Sequence, residues 1–135
     1  MQVQVAALCD SASDYSGKLC LLGAFDTLFA RQFPVVHPHC ALALRFCFFA
    51  EDEGEHKLSI RFLNADGHPV TKAIEPRINI QLSGDAGFIT RNMVMNLQGL
   101  SFPKPGEYAV QIACDQRSLA EIPLRVMEVD QNQQG

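Results

Sequence analysis

Polar and apolar residues alternate along most of this chain. Ile78, Ile80 and Leu82, for example, are each separated by one polar residue. Side chains two positions apart lie on the same face of a β-strand, so this alternation predicts a strand with one buried face. The same pattern recurs in Val3–Cys9, Lys57–Phe62, Arg91–Leu97, Glu107–Ile112 and Glu121–Val126. Turn-forming residues such as Asp66-Gly67 separate these segments, which indicates strands joined by short turns.

Two segments follow this pattern less closely. Leu19–Phe33 has apolar spacings that suit either a helix or an extended chain, and Gly23 and Thr27 favour the extended form because both are poor helix formers. Ala41–Ala50 is apolar at nearly every position, which is typical of a strand covered on both faces. As a strand, it directs one set of large side chains towards the core, namely Leu42, Leu44, Phe46 and Phe48.

The connections between these strands predict the fold class. We expect about eight strands, with connections too short for parallel crossovers. The chain is therefore predicted to be all-β, an antiparallel sandwich of two sheets, with a closed barrel as the alternative. No linker or change in composition divides it, so residues 1–129 are expected to form one domain, followed by a disordered polar tail at 130–135.

The segment Phe102–Tyr108 predicts a specific corner of this fold. Tyr108 begins a strand directly after Pro105, Gly106 and Glu107. In immunoglobulin-like sandwiches, a Tyr in this position turns its hydroxyl back to an upstream backbone group. We therefore expect an immunoglobulin-like arrangement, with structural roles for Tyr108, Gly106 and Gly23.

Charge and composition exclude several classes of function. The net charge of −4 and the dispersed basic residues disfavour nucleic-acid binding. No apolar run approaches the roughly 20 residues of a membrane span, and no secretory signal is visible. The five cysteines are odd in number and form no Cys-x-x-Cys pair, so we expect free thiols and a cytoplasmic protein.

His37, His39 and Cys40 are the only residues whose spacing suggests chemistry. Two histidines at i and i+2 share a face of an extended chain, but a metal site needs a third ligand. The simpler interpretation is a turn leading into the next strand. No nucleophile elbow, zinc-protease or phosphate-loop motif occurs, so we expect no catalytic residue and no cofactor. A metal-dependent or thiol enzyme using these three residues stays the alternative.

The remaining histidines and acidic residues suggest only exposed connections. His56 and His68 are expected to be solvent-exposed turn residues. The acidic run Glu51–Glu55 lacks the spacing of a calcium loop and is expected to be a solvated connection between strands.

The second face of Ala41–Ala50 suggests an interaction surface. If Leu42 and its partners fill the core, then Arg45, Cys47 and Phe49 point the other way. An outward apolar patch favours a homodimer or another protein partner, and we predict these three residues as the interface. Alternatively, the N-terminal segment or Leu19–Phe33 covers this face. A sandwich that binds a sugar or a lipid is a third possibility.

Four segments, Gly17–Asp26, Phe33–Pro38, Gly54–His56 and Pro105–Tyr108, carry a family resemblance. Together they resemble a family of small uncharacterised bacterial β-sandwich proteins, which form a domain of unknown function. The resemblance implies a strand rather than a helix over Lys18–Gly23. It implies no catalytic or ligand-binding residue.

Overall fold

The computed structural model describes residues 1–130, so the predicted tail, apart from Asp130, lies outside the described residues. No helix in the described part is long and apolar enough to cross a membrane. A short 3₁₀ turn, Ala50–Asp52, joins the fourth strand to the fifth. Nine strands form within residues 1–130: β1 (Gln2–Tyr15), β2 (Lys18–Phe25), β3 (Thr27–Ala30), β4 (Val35–Phe49), β5 (Gly54–Leu63), β6 (Arg77–Ile80), β7 (Phe88–Phe102), β8 (Gly106–Cys114) and β9 (Arg117–Glu128).

The strands form two open sheets, which confirms the predicted sandwich over the closed barrel. The first sheet has the order β2-β1-β4-β7, and the second has the order β3-β9-β8-β5-β6. All neighbours are antiparallel except β3 and β9. The count is nine rather than about eight because Leu19–Phe33 contains two short strands instead of one extended segment.

The main core lies between the two sheets. Leu42, Leu44, Phe46 and Phe48 of β4 are completely buried, as their alternation predicted. Truncating such side chains typically costs about 2–5 kcal/mol. The second sheet supplies the opposing side chains from β5 and β8, chiefly Leu58, Ile60, Phe62, Val110 and Ile112.

The predicted tyrosine corner is present. The Tyr108 hydroxyl donates a hydrogen bond of 2.5 Å to the Lys104 carbonyl. Its ring meets Phe102 edge to face, with the centroids 5.0 Å apart. Gly106 has a φ of +154°, a backbone conformation that L-residues rarely adopt, and so permits the corner directly before β8.

On both β4 and β7, the alternation between core-facing and outward-facing residues shifts by one position, and the two shifts lie opposite each other. On β4, Val35 and His37 are more buried than Val36, whereas the even-numbered residues from Cys40 onwards face the core. On β7, Leu97 is followed by exposed Gln98 and Gly99 before Leu100 and Phe102 return to the core. The pairs His37–Leu100 and His39–Gln98 keep the register. The shift is therefore matched on both strands, at Pro38 and Gly99.

The hairpin formed by β1 and β2 folds back over the outer face of the first sheet. Val5 pairs with Arg45, yet the carbonyl of Gly17 accepts a hydrogen bond from Arg45 Nη1 at 3.0 Å. If the chain continued as a straight strand from Val5, Gly17 would lie roughly 40 Å from the Val5–Arg45 pair. A second small core lies beneath the hairpin and contains buried Cys9, Ala41 and Ala43, with Ala12, Leu19, Leu21 and Val94 around them.

Gly23 permits this bend. It has a φ of +70° and lies opposite Asp10, between the pairs Cys9–Ala24 and Ser11–Leu22. A Cβ atom at Gly23 would overlap the Asp10 carboxylate. The sequence predicted a structural role for Gly23, and the backbone conformation supplies its physical reason.

Candidate functional site

Arg45, which the sequence predicts as part of an interface, holds the folded-back hairpin to the sheet through hydrogen bonds. Its guanidinium donates to Gln4 Oε1 at 3.0 Å, Asn92 Oδ1 at 2.6 Å and Thr90 Oγ1 at 3.2 Å, besides the Gly17 carbonyl. Asn92 in turn donates to Asp14 at 3.1 Å and to the Gly17 carbonyl at 3.2 Å. The hydrogen-bonding groups of Arg45 thus join β1, the hairpin turn and β7.

The other two predicted interface residues have different surroundings. Cys47 is only 3% exposed, whereas Phe49 is partly exposed at the end of β4. Residues of the chain's own hairpin pack over this face at Ala41 and Ala43, which is the alternative that the sequence left open. An interface formed by Arg45, Cys47 and Phe49 therefore stays a prediction, with Phe49 the most accessible apolar side chain of the three.

The free edge of β7 is the longest sheet edge in the described chain. β7 pairs with β4 from Phe88 to Phe102 without a register shift, and no other strand lies beside it in the first sheet. Its unpaired N–H and C=O groups are a template for another strand. Sheet edges are usually protected by Lys, Pro or a bulge, but β7 contains neither Lys nor Pro, and its only charged residue is Arg91.

The other sheet edges are short or bent. β3 and β6 have 4 residues each, and the part of β9 that β3 does not cover, residues 117–124, has 8. β2 has 8 residues, begins with a lysine and bends away with the hairpin at Gly23. β7, with 15 residues, is thus the longest edge strand among residues 1–130.

His37, His39 and Cys40 lie in three different environments. Both histidines are within β4, so the predicted turn at His37-Pro38-His39 was wrong. The His37 ring lies 5.9 Å from the Phe25 ring, His39 is exposed, and Cys40 is buried in the main core. Burial raises the pKa of the Cys40 thiol to about 11, which disfavours the reactive thiolate. No third ligand is grouped with the two histidines in the described part of the chain.

A second site, missed from the sequence, is the His56 cluster, which consists of Asp52, His56, Cys114 and Asp115. The His56 side chain is 12% exposed, so the prediction of a solvent-exposed turn residue was wrong. Its ring stacks on Phe48, with the centroids 6.2 Å apart. Nδ1 lies 2.6 Å from Asp115 Oδ2, and Nε2 lies 2.5 Å from the Asp52 carbonyl oxygen.

These contacts define the charge of His56. A carbonyl oxygen and an ionised carboxylate can only accept hydrogen bonds, so these two contacts favour the protonated ring, in which both nitrogens donate. The hydrogen bond to Asp115 raises the pKa of His56, and the same bond lowers the pKa of Asp115. The Lys57 backbone N–H also donates to Asp115 Oδ1, at 3.0 Å.

Asp52 anchors the other side of the cluster. It was expected in a solvated connection, yet it is only 8% exposed, although Glu51, Glu53 and Glu55 are exposed as predicted. Its carboxylate accepts hydrogen bonds of 2.8 Å from the Met1 ammonium and from the Phe49 N–H. Burial opposes ionisation of Asp52, but these bonds lower its pKa overall.

Cys114 completes a set of possible metal ligands. It is 2% exposed, and burial together with the nearby Asp115 raises the pKa of its thiol to about 11. Its sulfur, a His56 ring nitrogen and an Asp115 oxygen all lie within 4.8 Å of one another. His56 and Asp115 are 59 positions apart, so no local spacing could have indicated the group.

A polar cavity of about 620 Å³ lies on the outer face of the second sheet. Alternating outward residues of β5 and β8 form its floor, and a 2.5 Å ion pair between Lys57 and Glu75 lies at one side. The Ser59 hydroxyl oxygen is buried without a hydrogen-bond partner. The charged and polar lining is unsuited to a lipid, which needs a mainly apolar pocket.

Fold and surface together define a small all-β sandwich with one long free edge and one cluster of metal-ligating side chains. The chain matches the family of unknown function DUF6941 over residues 4–127 and belongs to that family. No curated protein matches it.

Proposed function

We propose that this protein is a non-catalytic interaction module that self-associates through the free edge of β7. The single observation that carries the proposal is the length of this edge, 15 residues in unbroken register with β4. Pairing two copies of β7 would join two four-stranded sheets into one continuous sheet and give hydrogen-bond partners to the backbone groups on the outer side of β7.

The sequence of β7 is compatible with antiparallel pairing to itself. In a two-fold pair centred on Val94, Met93 faces Met95 and Asn92 faces Asn96. Directly opposite residues point to the same face, so these two pairs match like with like. Arg91 faces Leu97 rather than a second Arg91, which avoids like-charge repulsion. The positive φ of +68° at Gly99 sets a natural end to the paired segment.

The non-catalytic part of the proposal rests on the environment of the thiol and histidine candidates. A nucleophilic cysteine needs a lowered pKa and access to substrate. Cys40 has a raised pKa and is buried, and adjacent His39 is exposed. All five cysteines are free, which favours a reducing compartment such as the cytoplasm. Recovery of the native protein only in an oxidising compartment would contradict this assignment.

Sedimentation velocity from low to high micromolar concentration tests self-association. We expect the wild-type chain to form a dimer, and the double variant Asn96→Lys/Gln98→Lys to weaken that dimer about 10- to 100-fold. Both replaced side chains are exposed, and lysines on an edge strand oppose the approach of a second strand.

The matched control places two lysines on the other edge of the same sheet. Cys20→Lys/Leu22→Lys changes two exposed residues of β2 and adds the same charge. This variant is expected to dimerise like the wild type. A wild-type chain that stays monomeric at high micromolar concentration, or two variants with equal effects, would overturn the proposal.

A further inference from the structure

We propose that His56, Cys114 and Asp115 bind a divalent metal ion of the zinc type at the end of the sandwich where β5 begins and β8 ends. The candidate ligands are the Nδ1 atom of His56, the Cys114 sulfur and the Asp115 carboxylate. They come from two paired strands and the following turn, because Leu58 pairs with Cys114 and Lys57 binds Asp115 through its N–H.

The distances require only small movements to admit an ion. The ligand atoms lie within 4.8 Å of one another, and the His56 and Asp115 atoms lie 2.6 Å apart. Tetrahedral zinc, with bonds of about 2.0–2.3 Å, separates its ligand atoms by roughly 3.3–3.7 Å. The Asp115 side chain is 50% exposed, so its carboxylate has room to rotate away from the ring.

Two of the ligands are already oriented by outer hydrogen bonds. Nε2 of His56 donates to the Asp52 carbonyl, which leaves Nδ1 as the nitrogen directed at Asp115. The Lys57 N–H holds the second oxygen of Asp115 at 3.0 Å. Histidine and carboxylate ligands of metals characteristically have such partners, which fix the ring and raise its basicity.

The donor types select the class of ion. One thiolate, one imidazole and one carboxylate suit zinc or cobalt, whereas magnesium and calcium take oxygen ligands. In the ion-free chain, a proton on His56 Nδ1 bridges to Asp115. Binding of the ion would release that proton and the Cys114 thiol proton, and would form three bonds to the metal.

Titration with Zn²⁺ and Co²⁺ tests the site in the full chain, after treatment with a chelator. We expect one ion per chain, and with Co²⁺ a thiolate-to-metal charge-transfer absorption in the near ultraviolet. His56→Gln and Cys114→Ser should each weaken binding by more than the about 100-fold that outer-shell changes reach. Cys114→Ser should also remove the charge-transfer absorption. Asp115→Asn, at an exposed position, provides a third variant if Cys114→Ser does not fold.

His39→Gln and Cys20→Ser serve as matched controls, because they remove an exposed histidine and the one exposed cysteine elsewhere on the chain. Both are expected to bind Co²⁺ like the wild type, and circular dichroism checks that every variant is folded. Absence of binding would overturn the proposal. So would binding that survives His56→Gln and Cys114→Ser but disappears in Cys20→Ser, since the ion would then lie on a surface thiol.

Discussion

The two edges of the first sheet, β2 and β7, are built in opposite ways. β2 belongs to a hairpin that bends at Gly23 and lies over its own sheet, where Arg45 fastens it. β7 pairs with β4 in one register over its 15 residues. The hairpin that carries β2 is therefore held against its own sheet by side-chain hydrogen bonds, while β7 has no strand on its outer side in the described chain. The difference indicates that a few residues, here Gly23 and Arg45, determine whether a sheet edge is available for pairing.

Of the changes considered, loss of Arg45 should have the largest effect on the difference between β2 and β7. Arg45→Met removes four hydrogen bonds made by a charged group, so we expect the free energy of unfolding to fall by about 3 kcal/mol. Urea unfolding measures the loss, and hydrogen exchange should show faster exchange in residues 10–24 than in β7. Arg91→Met, at an exposed position of β7, should cost less than about 0.5 kcal/mol. Equal losses would refute the role of Arg45.

The glycines of the two edges offer a closer comparison. Gly23 and Gly99 have nearly the same φ, +70° and +68°, but only Gly23 has another residue where its Cβ would be. Gly99→Ala should cost about 1 kcal/mol from backbone strain alone, and Gly23→Ala about 2 kcal/mol. Thermal or urea unfolding checks the order. Adding Asp10→Ala to Gly23→Ala should recover most of the difference, and no recovery would exclude steric overlap as its cause.

The smallest effect is expected from the lysine substitutions on the isolated chain. Asn96→Lys/Gln98→Lys changes two exposed side chains, so the unfolding free energy of the monomer should change by less than about 0.5 kcal/mol at each position. Unfolding at a concentration below that of dimer formation measures this. A large loss would mean that the edge is needed for folding rather than for association.

Sequence alternation predicted the strands well because it is a local property. Ile78, Tyr108 and the core-facing side chains of Ala41–Ala50 were assigned to the correct structure from their neighbours alone. Features that depend on a partner strand escaped prediction. The bend at Gly23 is set by Asp10 across the hairpin, and His56 becomes part of a cluster only through the register of β5 with β8. Only the three-dimensional pairing brings such residues together.

The matched phase shift at Pro38 and Gly99 has a consequence for changes in chain length. Each strand has two consecutive exposed residues, where regular alternation would have one. β4 and β7 therefore each contain one extra position. Deleting either position alone would move the core-facing side chains in the rest of that strand to the outer face of the sheet. Deleting both positions would leave the two strands with regular alternation. Related sequences that differ in length here should therefore gain or lose residues in pairs, one from each strand.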